Sequence, residues 1–154
     1  MIEMKSFDSP TPNPQSLSPL KLLRAQVEEM CAHAREASPA ECCGLIGGAE
    51  GGAAQSIYPL RNVARNSLVA YEAAPEQLFA AQRAMRERGE QLLGIYHSHP
   101  RAEVPLPSER DVQLAYYPAA IYFIIGLAGT EACLRAFRLS EREGVWKAVE
   151  YEVI

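Results

Sequence analysis

The segment QLLGIYH, residues 91–97, constrains this chain more than any other stretch. It is apolar at consecutive positions, so as a strand it is apolar on both faces and belongs in the middle of a sheet. Other short apolar runs can join it. CCGLIGG (42–48) suits a buried strand, Ala49–Gly52 a turn, and AAQSIYPL (53–60) the return strand of a hairpin. SLVAYEA (67–73), AAIYFIIGL (119–127), EACLRAFRL (131–139) and VWKAVEYEV (145–153) are further strand candidates. In the last of these, Val145, Val149, Tyr151 and Val153 alternate with more polar neighbours.

Between the strands lie helical patterns. Ser18-Pro19 reads as an N-cap followed by Pro at the first helical position. Leu20, Leu23, Val27, Met30 and Ala34 recur at helical spacing, which predicts an amphipathic helix ending before Ser38-Pro39. Pro75 opens a second helix with Leu78, Ala81 and Met85 on one face and Gly89 as its stop. A third runs from Pro107-Ser108 to about Tyr117. The order α-β-β-β-α-β-α-β-β-β predicts an α/β fold, a mixed sheet with helices packed on it, over residues 18–154. Residues 1–17, rich in Ser, Pro, Asn and Thr, read as a flexible tail.

Composition removes several functions. A formal net charge of −4 argues against a general nucleic-acid binder, which needs a basic face. The longest apolar stretch, AAIYFIIGLA (119–128), is far short of the roughly 20 residues of a membrane helix. Cys31, Cys42, Cys43 and Cys133 form no C-x-x-C pair, and the N-terminus has no apolar core of an export signal. These features predict a soluble, cytoplasmic protein with reduced thiols.

The chemistry gathers in GIYHSHPRAEVPLPSERD, residues 94–111. In an extended strand, side chains two apart share a face. His97 and His99 therefore project together, while Ser98 points away. Ser108 and Asp111, three apart, share one face of a helical turn, although Ser-x-x-Asp at a helix start is also a capping pattern. With the helix eight residues beyond the paired histidines, His97, His99 and Asp111 make a three-ligand set. The fourth tetrahedral position is left for water, the layout of a catalytic rather than a structural zinc. Such a site needs a general base, and Glu36, Glu41, Glu50, Glu72, Glu103 and Glu109 are all candidates that spacing alone does not separate.

Two separated blocks, PAECCGLIGG (39–48) and HSHP…PSERD (97–111), resemble the JAMM, or MPN-plus, metallopeptidases. LRNVARNS, YEAAPEQL and LLGIYHSHP resemble the small stand-alone prokaryotic members, and the likeness spans roughly residues 20–140. The resemblance implies a single MPN-type domain with cytidine-deaminase-like layering. It makes His97, His99 and Asp111 the zinc ligands, Glu41 the general acid/base, and Ser108 the donor that steadies the tetrahedral oxyanion. The implied reaction is hydrolysis of a peptide or isopeptide bond near the C-terminal Gly-Gly of a ubiquitin-like or sulfur-carrier protein. One departure stands out: the family usually has seven residues between the second histidine and the serine, and Pro100–Pro107 makes eight. Insertion in such a loop costs little.

Competing readings are weaker. Metal-free relatives serve as scaffolds or protein-binding modules, but they are recognisable by lost ligands, and here every ligand is present. A zinc deaminase lacks support because its H-x-E and P-C-x-x-C signature is missing. Cys42 and Cys43 read as small buried hydrophobes rather than a thiol nucleophile. His33 reads as a surface or packing residue. Arg101 and Glu103 either touch a substrate tail or are simply solvated.

Overall fold

The structure, a computed structural model, describes residues 19–154. The predicted tail, residues 1–17, and the predicted cap Ser18 lie outside the described residues.

The central strand is where the sequence places it. Strand β4 (Gln91–His99) lies between β2 (Cys43–Gly48) and β5 (Ile121–Gly126) in a six-stranded sheet. Beyond β2 lies β3 (Ala54–Leu60), and beyond β5 lie β6 (Cys133–Ser140) and β7 (Val145–Val149). All neighbours are antiparallel except β4 and β5, whose parallel pairing requires a crossover. That crossover carries α3 (Glu109–Gln113), so the topology sets α3 beyond the end of β4.

The sheet is covered on both faces. Alternation along β4 sends Ile95 to one core, with Leu45, Leu78, Ala81, Met85, Val112 and Ile124. It sends Tyr96 to the other, with Met30, Ala34, Ile46, Phe123 and Ile125. Helix α2 (Pro75–Glu87) covers the first face through its Leu78-Ala81-Met85 stripe, and Gly89, at φ +68°, takes the left-handed conformation that ends it. Helix α1 (Arg24–Ala37) covers the second through Met30, Cys31 and Ala34. The expected mixed α/β sandwich is therefore the observed one.

Four elements differ from expectation. The first helix begins at Arg24, not Pro19, because Leu20–Leu22 forms a strand, β1, paired in parallel with β8 (Tyr151–Val153). Leu20 and Leu22 are buried and Lys21 is exposed, a period of two that a short leucine-rich run also satisfies as a helix. The Gln26 side chain accepts the Leu23 amide at 2.8 Å. The expected strand 145–153 is split at Glu150, β7 joining the main sheet and β8 leaving it to pair with β1. Residues 67–73 form no strand; the segment between β3 and α2 closes on itself through an Asn62–Ala73 bridge. Helix α3 stops at Gln113 rather than Tyr117: Pro118 disfavours helix at the preceding residue, and the Tyr117 amide bonds to the Tyr122 hydroxyl at 3.2 Å.

Candidate metal centre and active site

Two histidines at the end of a buried strand cannot avoid each other. His97 and His99 lie on the α2 face of β4, and His97 is fully buried beside Cys43 and Ile124 on the flanking strands. Their Nε2 atoms lie 3.1 Å apart. Asp111 Oδ2 comes within 3.2 Å of His97 Nε2 and 3.1 Å of His99 Nε2. The three sequence-predicted ligands thus form a nearly equilateral triangle of two nitrogens and one oxygen.

Their donor set fits zinc. A tetrahedral zinc with ligand distances of about 2.0–2.1 Å separates its ligand atoms by about 3.3–3.4 Å, close to the triangle's edges. The electrostatics agree. Burial alone would raise the Asp111 carboxyl, but the imidazoles, His97 foremost, and the Ser108 amide outweigh it and hold the group well below the usual carboxylate range. Burial would likewise lower His99, yet the Asp111 carboxylate overrides it and raises that imidazole. A carboxylate that draws positive charge onto a histidine draws a cation to the same place.

Asp111 reaches this point in spite of the longer loop. The Ala102 amide returns to the His99 carbonyl at 3.0 Å, and the Ala128 amide reaches Ala102 at 3.0 Å. Pro105 is buried against the end of β5, where Gly126 leaves room: a Cβ there would lie 2.6 Å from the Ala102 carbonyl and 2.9 Å from Pro105. The extra residue is taken up before α3 begins. Ser108 then caps the helix, its hydroxyl accepting the Asp111 amide at 3.0 Å while its own amide donates to Asp111 Oδ2 at 2.9 Å. The capping reading of Ser108 is therefore correct as far as it goes. A hydroxyl has one donor and two acceptor sites, and capping uses only an acceptor.

Glu41 precedes β2, whose first residue, Cys43, pairs with His97. The residue is only 5% exposed, and a carboxylate oxygen lies within 4.8 Å of a ring nitrogen on each of His97 and His99. Burial raises this carboxyl above its ordinary value, with the two imidazoles partly offsetting the effect. Among the six acidic candidates, Glu41 is the one that joins the histidines in a metal-sized cluster among the described residues. Glu72 and Glu103 line other surfaces, Glu72 beside an apolar cavity and Glu103 in the loop against Gly129.

The cysteines and His33 stand apart from this chemistry. All four cysteines are free thiols. Burial pushes Cys42 up to about 11 and Cys43 up to about 12, the opposite of an activated nucleophile. His33 is half-buried on α1, with Nδ1 2.8 Å from the Tyr96 hydroxyl on the far face of the sheet. Arg101 lines a groove of about 300 Å³ with Glu41, Leu68, Val69, His99 and Ser108.

Two contributors were not singled out in the sequence. Tyr71 stacks on His97, ring centroids 4.6 Å apart at 26°. Ser98, between the histidines, accepts the Cys42 amide at 2.8 Å and so ties the start of β2 to β4. The alternation that turns Ser98 away from the site was legible; its partner was not.

Comparison with known proteins gives the chain its family. Residues 23–140 match the family described as prokaryotic homologs of the JAB domain. The chain belongs to that family. It is 35% identical over 112 residues to a desampylase of Haloferax volcanii, covering 70% of this chain and 80% of the relative. It is 38% identical over 122 residues to a probable TtuB-protein conjugate cleaving protease of Thermus thermophilus, covering 79% and 77%. A CysO-cysteine peptidase of Mycobacterium tuberculosis is 38% identical over 100 residues, covering 64% and 67%. Among solved structures, a Desulfitobacterium hafniense protein superposes with a TM-score of 0.76 at 34% identity, covering 88% of this chain and 92% of that one. A JAB1/MPN domain protein of Archaeoglobus fulgidus shares the fold at a TM-score of 0.57 and 21% identity, covering 89% and 99%. This JAB-family chain is a JAMM-type peptidase.

Proposed function

We propose that the protein hydrolyses a peptide or isopeptide bond near the C-terminal Gly-Gly of a ubiquitin-like or sulfur-carrier protein, using one zinc ion held by His97, His99 and Asp111. The observation that carries this reading is the convergence of His97 Nε2, His99 Nε2 and Asp111 Oδ2 within 3.2 Å, beside a buried Glu41. The substrate class follows from relatives named for cleaving TtuB conjugates and CysO-cysteine.

When bound, zinc acts as a Lewis acid and brings the pKa of a water down to about 7. The chain's own residues do the rest. Glu41 accepts the proton of the attacking water and returns it to the departing amine; a carboxyl raised by burial is suited to both halves of that transfer. Ser108 directs its spare O–H donor at the carbonyl oxygen as charge develops there. Tyr71 packs on His97 and shields that ligand's ring. The groove past Leu68, Val69 and Ala102 gives an extended tail a path to Glu41 and Ser108. Free thiols in all four cysteines support a cytoplasmic setting. The scaffold alternative needs lost ligands, and the intact triangle favours the enzyme.

Elemental mass spectrometry of zinc-supplied protein tests the metal, with one equivalent per chain expected. Incubation with a ubiquitin-like protein carrying one amino acid beyond its Gly-Gly tests the chemistry. Release of that residue, abolished by a chelator and restored by zinc, is the expected result. A folded protein that holds no zinc returns the chain to the scaffold reading.

A further inference from the structure

Glu41 lies outside the β2 ladder, two residues before the strand begins, so its backbone groups must find partners elsewhere. Both partners come from the irregular segment between β3 and α2. The Glu41 amide donates to the Ser67 carbonyl at 2.7 Å, and the Glu41 carbonyl accepts from Asn62 Nδ2 at 2.9 Å. Asn62 Nδ2 also donates to the Ala70 carbonyl at 2.9 Å, while its Oδ1 accepts the amides of Ala64 at 2.9 Å and Glu72 at 3.0 Å. A side-chain amide offers two donors and one doubly accepting oxygen, so all four positions are used.

The choice of partners is informative. Ala70 and Glu72 flank Tyr71, the ring stacked on His97. One side chain therefore fixes the backbone of Glu41 and the backbone on either side of Tyr71. The neck of the segment is closed independently, by the Val63 amide to Glu72 at 2.8 Å and the Ala74 amide to Arg61 at 2.9 Å. The Asn62 side chain acts inside a loop whose ends are already tied. All four of its hydrogen bonds go to backbone groups.

We propose that Asn62 is a positioning residue, one amide that sets both the Glu41 backbone and the Tyr71 ring against His97. The inference rests on the reading of Glu41 as acid/base. It adds that the 61–74 segment is part of the catalytic apparatus through this side chain, not merely the border of a groove.

Asn62→Asp separates the parts of the role: a carboxylate still accepts from Ala64 and Glu72 but donates nothing to Glu41 or Ala70. Asn62→Ala removes all four bonds. Zinc-loaded full-length variants are compared with wild type for zinc per chain, for kcat and KM on the Gly-Gly-extended ubiquitin-like protein, and for amide exchange at Glu41. Both variants should retain one zinc and a KM within about twofold of wild type. Their kcat should fall about 10- to 100-fold, the scale of a catalytic group misplaced by around an ångström, with faster exchange at Glu41. Glu76→Ala, which removes an exposed ion pair from the first turn of α2, should leave both kcat and exchange unchanged.

Wild-type exchange at Glu41 in folded Asn62→Asp overturns the proposal, whatever the activity. So does zinc loss from a folded variant, which would put Asn62's effect on the metal rather than on Glu41. The exchange readout needs no substrate, so failure of the peptidase reading is seen separately, as wild-type protein that leaves the extended substrate intact. Should both variants unfold, native-state exchange on wild type decides. Glu41 and Glu72 amides opening together support the proposal, and Glu41 opening independently overturns it.

Discussion

The two faces of β4 carry side chains of similar polarity and opposite purpose. On the α1 face, Tyr96 and Ser98 are fully buried, and each has a protein partner: the Tyr96 hydroxyl meets His33 Nδ1 at 2.8 Å and Ser98 Oγ accepts the Cys42 amide at 2.8 Å. Gly44 on the adjacent strand makes room for the tyrosine, since a Cβ there would clash with the hydroxyl end of its ring. On the α2 face, His97 and His99 aim their Nε2 atoms at each other and at one carboxylate oxygen, while His97 Nδ1 is buried without a hydrogen-bond partner among the described residues. Buried polar groups are normally paired. The first face is satisfied by the protein itself; the second gathers ligand atoms at spacings that suit an added cation. An unfulfilled polar cluster in a core is a better sign of function than polarity alone.

The sharpest way to break this contrast is at Asp111. Asp111→Ala removes the oxygen that faces both imidazoles. It should abolish stoichiometric zinc, measured by elemental mass spectrometry, and with it all turnover. The Asp111 side chain also accepts the Ser108 amide, so a modest loss of melting temperature accompanies it. If Asp111→Ala keeps one zinc, Glu41, His97 and His99 are holding the metal and the roles of the two carboxylates must be exchanged.

Glu41→Gln asks the converse question on the same face. Amide for carboxylate keeps the shape and removes the proton acceptor, so zinc should stay at one per chain while kcat falls by at least about 10²-fold. Steady-state kinetics beside metal analysis read both. Loss of zinc instead would make Glu41 a ligand.

Ser108→Ala combines the two kinds of role. Loss of an oxyanion donor costs about 10²- to 10³-fold in kcat, and loss of an N-cap costs about 1 kcal/mol of stability. Kinetics and denaturant titration separate them. A stability loss with unchanged kcat would leave Ser108 a cap and nothing more.

What the sequence made legible follows from this division. The His97–His99 pair was legible because strand alternation is local: two residues apart means one face. Ser108 and Asp111 were legible as a pair on one helical turn. That Asp111 closes on the histidines depends on Gly126 admitting the 100–107 loop, a contact between segments with no shared pattern. Glu41 could not be chosen by spacing from five other acids, and only the pairing of β2 with β4 singles it out. The missed features are also non-local. Leu20 and Leu22 read as helix until the C-terminal strand offers a partner, and SLVAYEA reads as strand until Asn62 satisfies backbone groups at Ala64, Ala70 and Glu72. A side chain that competes with the sheet for backbone bonds leaves little trace in hydrophobic periodicity.

The smallest expected effect lies on the quiet face and sharpens the comparison most. Burial pushes the Tyr96 phenol far above its ordinary range and His33 below its own, so each group is held toward its neutral form, and one hydrogen bond joins them. Tyr96→Phe deletes that single bond and leaves the ring in place over Gly44. The cost should be about 0.5–1.5 kcal/mol, read from urea unfolding at an unchanged m-value. Zinc content and kcat should match wild type, because Tyr96 points to the opposite face of β4 from His97 and His99. Activity that fell in step with metal loss would mean the two faces of β4 are coupled through the strand. The contrast between the self-satisfied face and the one proposed to hold the metal would then be a difference of degree.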